Sequence, residues 1–158
     1  MIFYHKCDII RRTAIVPLFC TLEGGLKMGK VCIITASQSI ENRLLEMISI
    51  LIDAEIDIES AVLPMDCTPQ HLRDCVVKAN ADVYIVGSSM ANTLSCYVKA
   101  HTNAIVIGLP ISGDNSDINN AIFHINGLPT GMPHSIAAVD SIMDVGKTAK
   151  RLIAEKAS

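Results

Sequence analysis

Residues 31–39 read V-C-I-I-T-A-S-Q-S. Val31 to Thr35 is a short β-rich apolar run without polar alternation, the pattern of a strand buried in a parallel sheet. Ser37 and Ser39 follow it and can cap a helix. Leu44, Leu45, Ile48, Leu51 and Ile52 then recur at helical spacing, with Glu41, Asn42, Arg43 and Glu46 on other faces.

The alternation continues outward from this unit. Ile58 to Leu63 reads as a second strand. Thr68-Pro69 starts a helix, with Thr as N-cap, Pro at the first helical position and Leu72, Val76 and Ala79 as inner stripe. Asp82 to Val86 is a third strand, and Gly87-Ser88-Ser89 turns the chain into a helix over Ala91 to Ala100. Ala104 to Leu109 is a fourth strand, and Pro110 to Asp117 a polar loop. Ile118 to Asn126 suits a short helix, residues 127–133 neither helix nor central strand, and Ser135 to Val139 a fifth strand. The last helix runs from about Ser141 to Glu155. Strand–helix alternation of this kind means βαβ units. The expected fold is α/β, a three-layer sandwich with an open parallel sheet of about five strands and helices on both faces.

Composition narrows the function classes. The chain has 158 residues, half of them hydrophobic and 18% charged, which is too apolar for disorder. Thirteen basic against sixteen acidic residues leave no excess to neutralise a nucleic-acid backbone, and 4% aromatic content with no Trp provides few stacking platforms. Cys7, Cys20, Cys32, Cys67, Cys75 and Cys96 include no C-x-x-C pair, and no His lies at zinc-finger spacing, so no metal site is expected. With no convincing signal peptide, reduced thiols in a cytoplasm are expected. The longest uncharged apolar run of the first thirty residues, Thr13 to Leu22, is too short to span a bilayer and contains Pro17. Residues 1–28 read as an extension, possessing a leader-like Arg11-Arg12 start without a small-residue cleavage site, and 29–158 as the domain.

Ligands of open parallel sheets bind outside the carboxyl ends of the strands. The loops leaving those ends are residues 36–39, 64–69, 87–90 and 110–113. Three of them lead into helix N-termini rich in hydroxyls and free amides, which suit an anion such as a phosphate.

The order of these loops resembles the PurE family, which acts on carboxylated aminoimidazole ribonucleotides in purine synthesis. A-S-Q-S-I (Ala36 to Ile40) stands where the family has G-S-x-S-D, and P-M-D-C-T-P (Pro64 to Pro69) where it has S-A-H-R-T-P. G-S-S-M-A-N-T-L-S-C (Gly87 to Cys96) stands for G-A-G-G-A-A-H-L-P-G. A-I-V-I-G-L-P (Ala104 to Pro110) and L-P-T-G-M-P (Leu128 to Pro133) match the family's P-V-I-G-V-P and M-P-x-G-x-P. The resemblance covers about Gly29 to Ile153. It implies a flavodoxin-like sheet, a homo-oligomer (typically an octamer) with shared sites, no metal or organic cofactor, and bicarbonate or CO₂ as reaction partner.

The same resemblance locates the departures. The family's proton-transfer histidine position holds Asp66, and its phosphate-gripping arginine position holds Cys67. The acid of G-S-x-S-D becomes Ile40, with Glu41 one step on. Thr93 replaces the loop histidine, and Ser89 and Met90 replace two glycines. The family's reaction, an isomerase or lyase step, moves a carboxyl group between ring nitrogen and ring carbon, and C4 must shed a proton. An imidazole suits that transfer; a carboxyl with an intrinsic pKa of about 3.9 needs a large upward shift. Loss of a guanidinium removes charge-assisted contacts of roughly 1.5–3 kcal/mol each.

The expected site is therefore Asp66 as catalytic residue with Ser37, Ser39, Cys67, Gly87, Ser88 and Ser89 as substrate-binding residues. Each has a plainer alternative. Asp66 can be a capping acid, Cys67 an unreactive turn residue, and the serines caps. Two functions stand: a PurE-type enzyme or former enzyme, and a non-catalytic ribonucleotide-binding or regulatory paralogue that assembles with itself or an active copy. Cys67 as nucleophile for new chemistry is a third.

Overall fold

Strand β2 (Lys30–Thr35) lies between β3 (Asp57–Val62) and β4 (Val83–Ser88), parallel to both, with β5 (Ile105–Pro110) and β6 (Ser135–Ile136) continuing the parallel sheet. The computed structural model describes residues 18–20, 28–64, 69–89, 91–112 and 134–157. Leu18–Cys20 forms a further strand, β1, antiparallel on the β3 edge, so the order is β1-β3-β2-β4-β5-β6. The five parallel strands, counted along the chain, follow the flavodoxin-like order 2-1-3-4-5. Leu18–Cys20 comes from the stretch read as an extension; the other residues before Met28 lie outside the described residues.

Helices α1 (Gln38–Arg43), α2 (Leu45–Asp53) and α5 (Ile142–Ala157) cover one face, and α3 (Pro69–Ala79) and α4 (Ala91–Ala100) the other. Alternate strand residues divide accordingly. Val31, Ile33, Val83, Ile85 and Ile107 point to the first face, and Cys32, Ile34, Tyr84, Val86 and Val106 to the second. β4, the central strand, is buried along its whole length, as its unbroken apolar run requires.

Two details differ from the sequence reading. The first helix breaks at Leu44 (φ −88°, ψ 0°), and its buried stripe is Ile40, Leu44, Met47 and Leu51, whereas Leu45 is exposed. The break lets Ile40 and Leu44 cover the strand ends while Met47 and Leu51 stay within the same core cluster as Val145 and Ile153 of α5. β6 also stops after two residues. Asp140 takes a left-handed backbone (φ 57°) and its amide turns back to the Pro110 carbonyl at 2.9 Å. The helix expected over 118–126 lies outside the described residues. None of the helices among the described residues is long and apolar enough to cross a membrane.

Candidate functional site

Backbone hydrogen bonds tie the strand tips together along one rim. The Leu63 amide donates to the Thr35 carbonyl (2.9 Å), Ala36 to Gly87 (3.1 Å) and Ile111 to Ser88 (3.0 Å). The roots of all four expected loops therefore lie side by side, and the Ala36–Gly87 contact marks the point where strand order reverses. Ligand crevices of open sheets form at that point.

Ser37 is the N-cap residue of α1 by its extended backbone (φ −155°, ψ 159°), yet its hydroxyl does not cap the helix. Its Oγ lies 3.0 Å from the Ser39 Oγ, and the pair faces solvent. Beneath them Thr35 is fully buried, and its Oγ1 has no hydrogen-bond partner among the described residues. Ser88 is buried and Ser89 half-buried at the end of β4. Asp66, Cys67 and Thr68 lie outside the described residues.

Gly87, expected as a substrate-binding residue, lies near the end of β4. A Cβ there would stand 3.2 Å from Ile40 Cγ2 and 3.5 Å from Leu44 Cδ1, so α1 already occupies the space in front of it. Ile40, where the resemblance puts an acid, is 8% exposed and belongs to the core. The nearby carboxylate, Glu41, turns away toward β3, where Oε1 accepts from Ser60 Oγ at 2.9 Å and Oε2 from Gln38 Nε2.

A second polar group on the rim was not apparent from sequence. Arg43 Nη2 donates to Asp140 Oδ1 at 2.8 Å, and its Nη1 to the Ser112 carbonyl. Asp140 also accepts from the Ser112 amide at 3.0 Å and from the Ser112 hydroxyl. Partial burial pushes the Asp140 carboxyl up, but the Ser112 hydrogen bonds and the Arg43 charge outweigh it and hold the group below the usual range. These residues come from α1, the β5 loop and the turn before α5, so no local motif announces them. Arg43 is the cation this cluster brings to the rim. Elsewhere, His134 Nε2 lies 3.2 Å from Ser95 Oγ, and the His101 ring packs edge-on against Tyr97, with centroids 4.8 Å apart. Among the described residues no cluster of His, Cys, Asp or Glu is arranged to hold a metal ion.

An open parallel sheet of order 2-1-3-4-5 with helices on both faces defines a flavodoxin-like α/β protein, and serine hydroxyls gather over its strand-order reversal. Residues 30–158 match the AIR carboxylase family, and the chain belongs to it. It is 27% identical over 132 residues to the N5-carboxyaminoimidazole ribonucleotide mutase of Saccharolobus solfataricus, covering 82% of this chain and 84% of that protein. It is 28% identical over 132 residues to the protein of the same name from Pyrococcus abyssi, covering 82% and 76%. The crystal structure of Treponema denticola PurE superposes with a TM-score of 0.68 at 18% identity, over 81% of this chain and 86% of that one. That likeness bears on the fold.

Proposed function

We propose that this protein binds an aminoimidazole ribonucleotide at the carboxyl rim of its sheet and serves de novo purine biosynthesis as a PurE-type protein. Its carboxyl transfer, an isomerase or lyase step with bicarbonate or CO₂ as partner, is slowed by the loss of imidazole and guanidinium. The observation that carries the reading is the row of tied strand tips: Leu63 on Thr35, Ala36 on Gly87 and Ile111 on Ser88. That row holds the Ser37–Ser39 hydroxyl pair and Ser88-Ser89 at one edge. In this reading Ser37, Ser39, Ser88 and Ser89 meet the sugar phosphate, Gly87 seats α1, and Asp66 and Cys67 occupy the family's proton-transfer and phosphate-grip positions. Family membership further supports a homo-oligomer with shared sites and a cytoplasmic location.

One observation favours a second reading, a non-catalytic ribonucleotide-binding or regulatory subunit. Ile40 fills the family's acid position with a buried hydrocarbon, and Glu41 is engaged with Ser60. With Asp66 and Cys67 in place of His and Arg, three charged positions of the family set have changed together.

The test pairs a turnover assay on N5-carboxyaminoimidazole ribonucleotide with thermal shifts in the same ligand and its C4-carboxylated isomer. A ligand at 100 times its Kd stabilises the fold by about 2.7 kcal/mol. Stabilisation with slow turnover is the expected result. Stabilisation with no turnover establishes the second reading, and absence of both overturns ribonucleotide binding.

A further inference from the structure

A phosphate at the rim needs a positive charge that the serines there do not supply. A phosphate monoester carries about −1.5 to −2 near neutrality, and hydroxyls donate hydrogen bonds without neutralising it. Lys30, Lys78, Lys99 and Lys156 stand at the start of β2 or at the ends of α3, α4 and α5, which is the amino end of the sheet. Arg43 is placed differently. It closes α1 at the carboxyl rim, four residues after Ser39, a spacing that puts the two residues on one face of the helix.

Two other elements hold its guanidinium. Nη2 donates to Asp140 Oδ1 at 2.8 Å, and Nη1 donates to the Ser112 carbonyl. Ser112 follows Ile111, whose amide donates to the Ser88 carbonyl at 3.0 Å. Arg43 therefore bridges from the helix that bears the Ser37–Ser39 hydroxyls to the loop beside the Ser88-Ser89 turn.

We propose that Arg43 is the cation that binds the phosphate of the ribonucleotide, with Ser112 and Asp140 holding its guanidinium ready at the rim. The inference rests on the ribonucleotide reading above and names the residue that meets the ligand's charge.

The geometry leaves room for that contact. A guanidinium has five N–H donors, and among the described residues the inward bonds use one on Nη1 and one on Nη2. The side chain is 41% exposed, so its outer edge is open to a ligand. Held at two points, it loses little freedom on binding, and its planar fork matches two phosphate oxygens at once. Asp140 sets a negative charge behind Arg43. That carboxylate is already turned to three donors, the Ser112 amide, the Ser112 hydroxyl and Arg43 itself. Glu41, the carboxylate of α1, is turned to Ser60 on β3.

The experiment measures Kd for the C4-carboxylated ribonucleotide and for the same molecule without its phosphate, on the full-length wild type and on Arg43→Gln. The variant is expected to bind the ribonucleotide ten- to a hundredfold more weakly and the phosphate-free riboside as the wild type does. Equal affinity of both proteins for the ribonucleotide overturns the role of Arg43 and leaves the ribonucleotide reading standing. An equal loss for both ligands also overturns it, because the side chain then only supports the fold. A wild type that binds neither ligand overturns the ribonucleotide reading and this inference with it. Phenylglyoxal labelling of the wild type, mapped by mass spectrometry, decides the case if the variant does not fold. The ribonucleotide should slow modification of Arg43 and the riboside should not; modification at an unchanged rate overturns the proposal.

Discussion

The Ala36 amide donates to the Gly87 carbonyl at 3.1 Å, joining β2 to β4 where the strand order reverses. The bond places the Ser37–Ser39 hydroxyls beside the Ser88-Ser89 turn. It also sets how closely α1 approaches the sheet, because Gly87 lies directly under Ile40 and Leu44.

Gly87→Ala is therefore expected to destabilise the fold by overpacking. The new methyl lands 3.2 Å from Ile40 Cγ2, inside comfortable contact, and Ile40 must give by a few tenths of an ångström within a filled core. Overpacking of this kind costs about 1–3 kcal/mol, and each kcal/mol lowers the Tm of a domain this size by roughly 2–4 °C. Thermal melts of the wild type, Gly87→Ala, Ile40→Ala and the double variant form the check. The methyl costs less in the Ile40→Ala background; an equal loss in both shows that the two positions are not coupled.

Tyr84 is almost fully buried at the heart of the α3–α4 side. Its hydroxyl donates to the Val76 carbonyl at 2.7 Å and accepts from the Ala81 amide at 3.1 Å, tying the end of α3 to β4. Tyr84→Phe leaves both backbone groups without that partner and is expected to lose about 1–3 kcal/mol. Urea unfolding checks it, with a lowered midpoint and an unchanged slope.

What the sequence disclosed follows from the range of the interactions involved. The strands and the α3 stripe of Leu72, Val76 and Ala79 are local periodic patterns, and all three residues are buried. In the first helix Leu44 and Leu51 are buried and Ile48 and Ile52 pack against the same cluster, as their spacing implied, but Leu45 is exposed, and Ile40 and Met47 join the stripe across the break at Leu44. The Arg43–Asp140 pair joins residues 97 positions apart, and Leu18–Cys20 finds its place by pairing with β3. Such contacts leave no periodic trace. Gly87 was legible as a turn residue after the third strand, but its closeness to Ile40 and Leu44 was not, because that contact depends on how α1 packs over the sheet.

The Asp140 cluster predicts a specific acid response. The folded carboxyl titrates below its unfolded value of about 3.9, so its stabilisation is present above that pH and lost as pH falls through the folded value. Asp140→Asn removes the charge while tolerating the left-handed backbone at φ 57°. With Asp140 at 36% side-chain exposure and Arg43 at 41%, the pair contributes about 0.5–1 kcal/mol at neutral pH. Urea unfolding at pH 7 should show the variant weaker by that amount, and the gap should close toward pH 3. A gap that persists in acid assigns the loss to something other than the charge.

The sharpest test of the proposed slow carboxyl transfer places at positions 66 and 67 the residues that the resemblance puts there. Asp66→His supplies a group titrating near neutrality where Asp66 needs a large upward shift, and positioned general acid–base groups contribute typically about 10²–10⁴-fold. Cys67→Arg restores a guanidinium able to grip phosphate through two hydrogen bonds, which is about ten- to a hundredfold in affinity. The two effects separate kinetically. Asp66→His alone is expected to raise kcat with little change in KM, and Cys67→Arg alone to lower KM. The double variant combines both on N5-carboxyaminoimidazole ribonucleotide. If restored His and Arg leave turnover and affinity at the level of the unaltered chain, while the fold still melts cooperatively, the limitation lies beyond these two positions. Ile40 is then next, since its buried side chain stands where the family holds an acid and packs against Gly87.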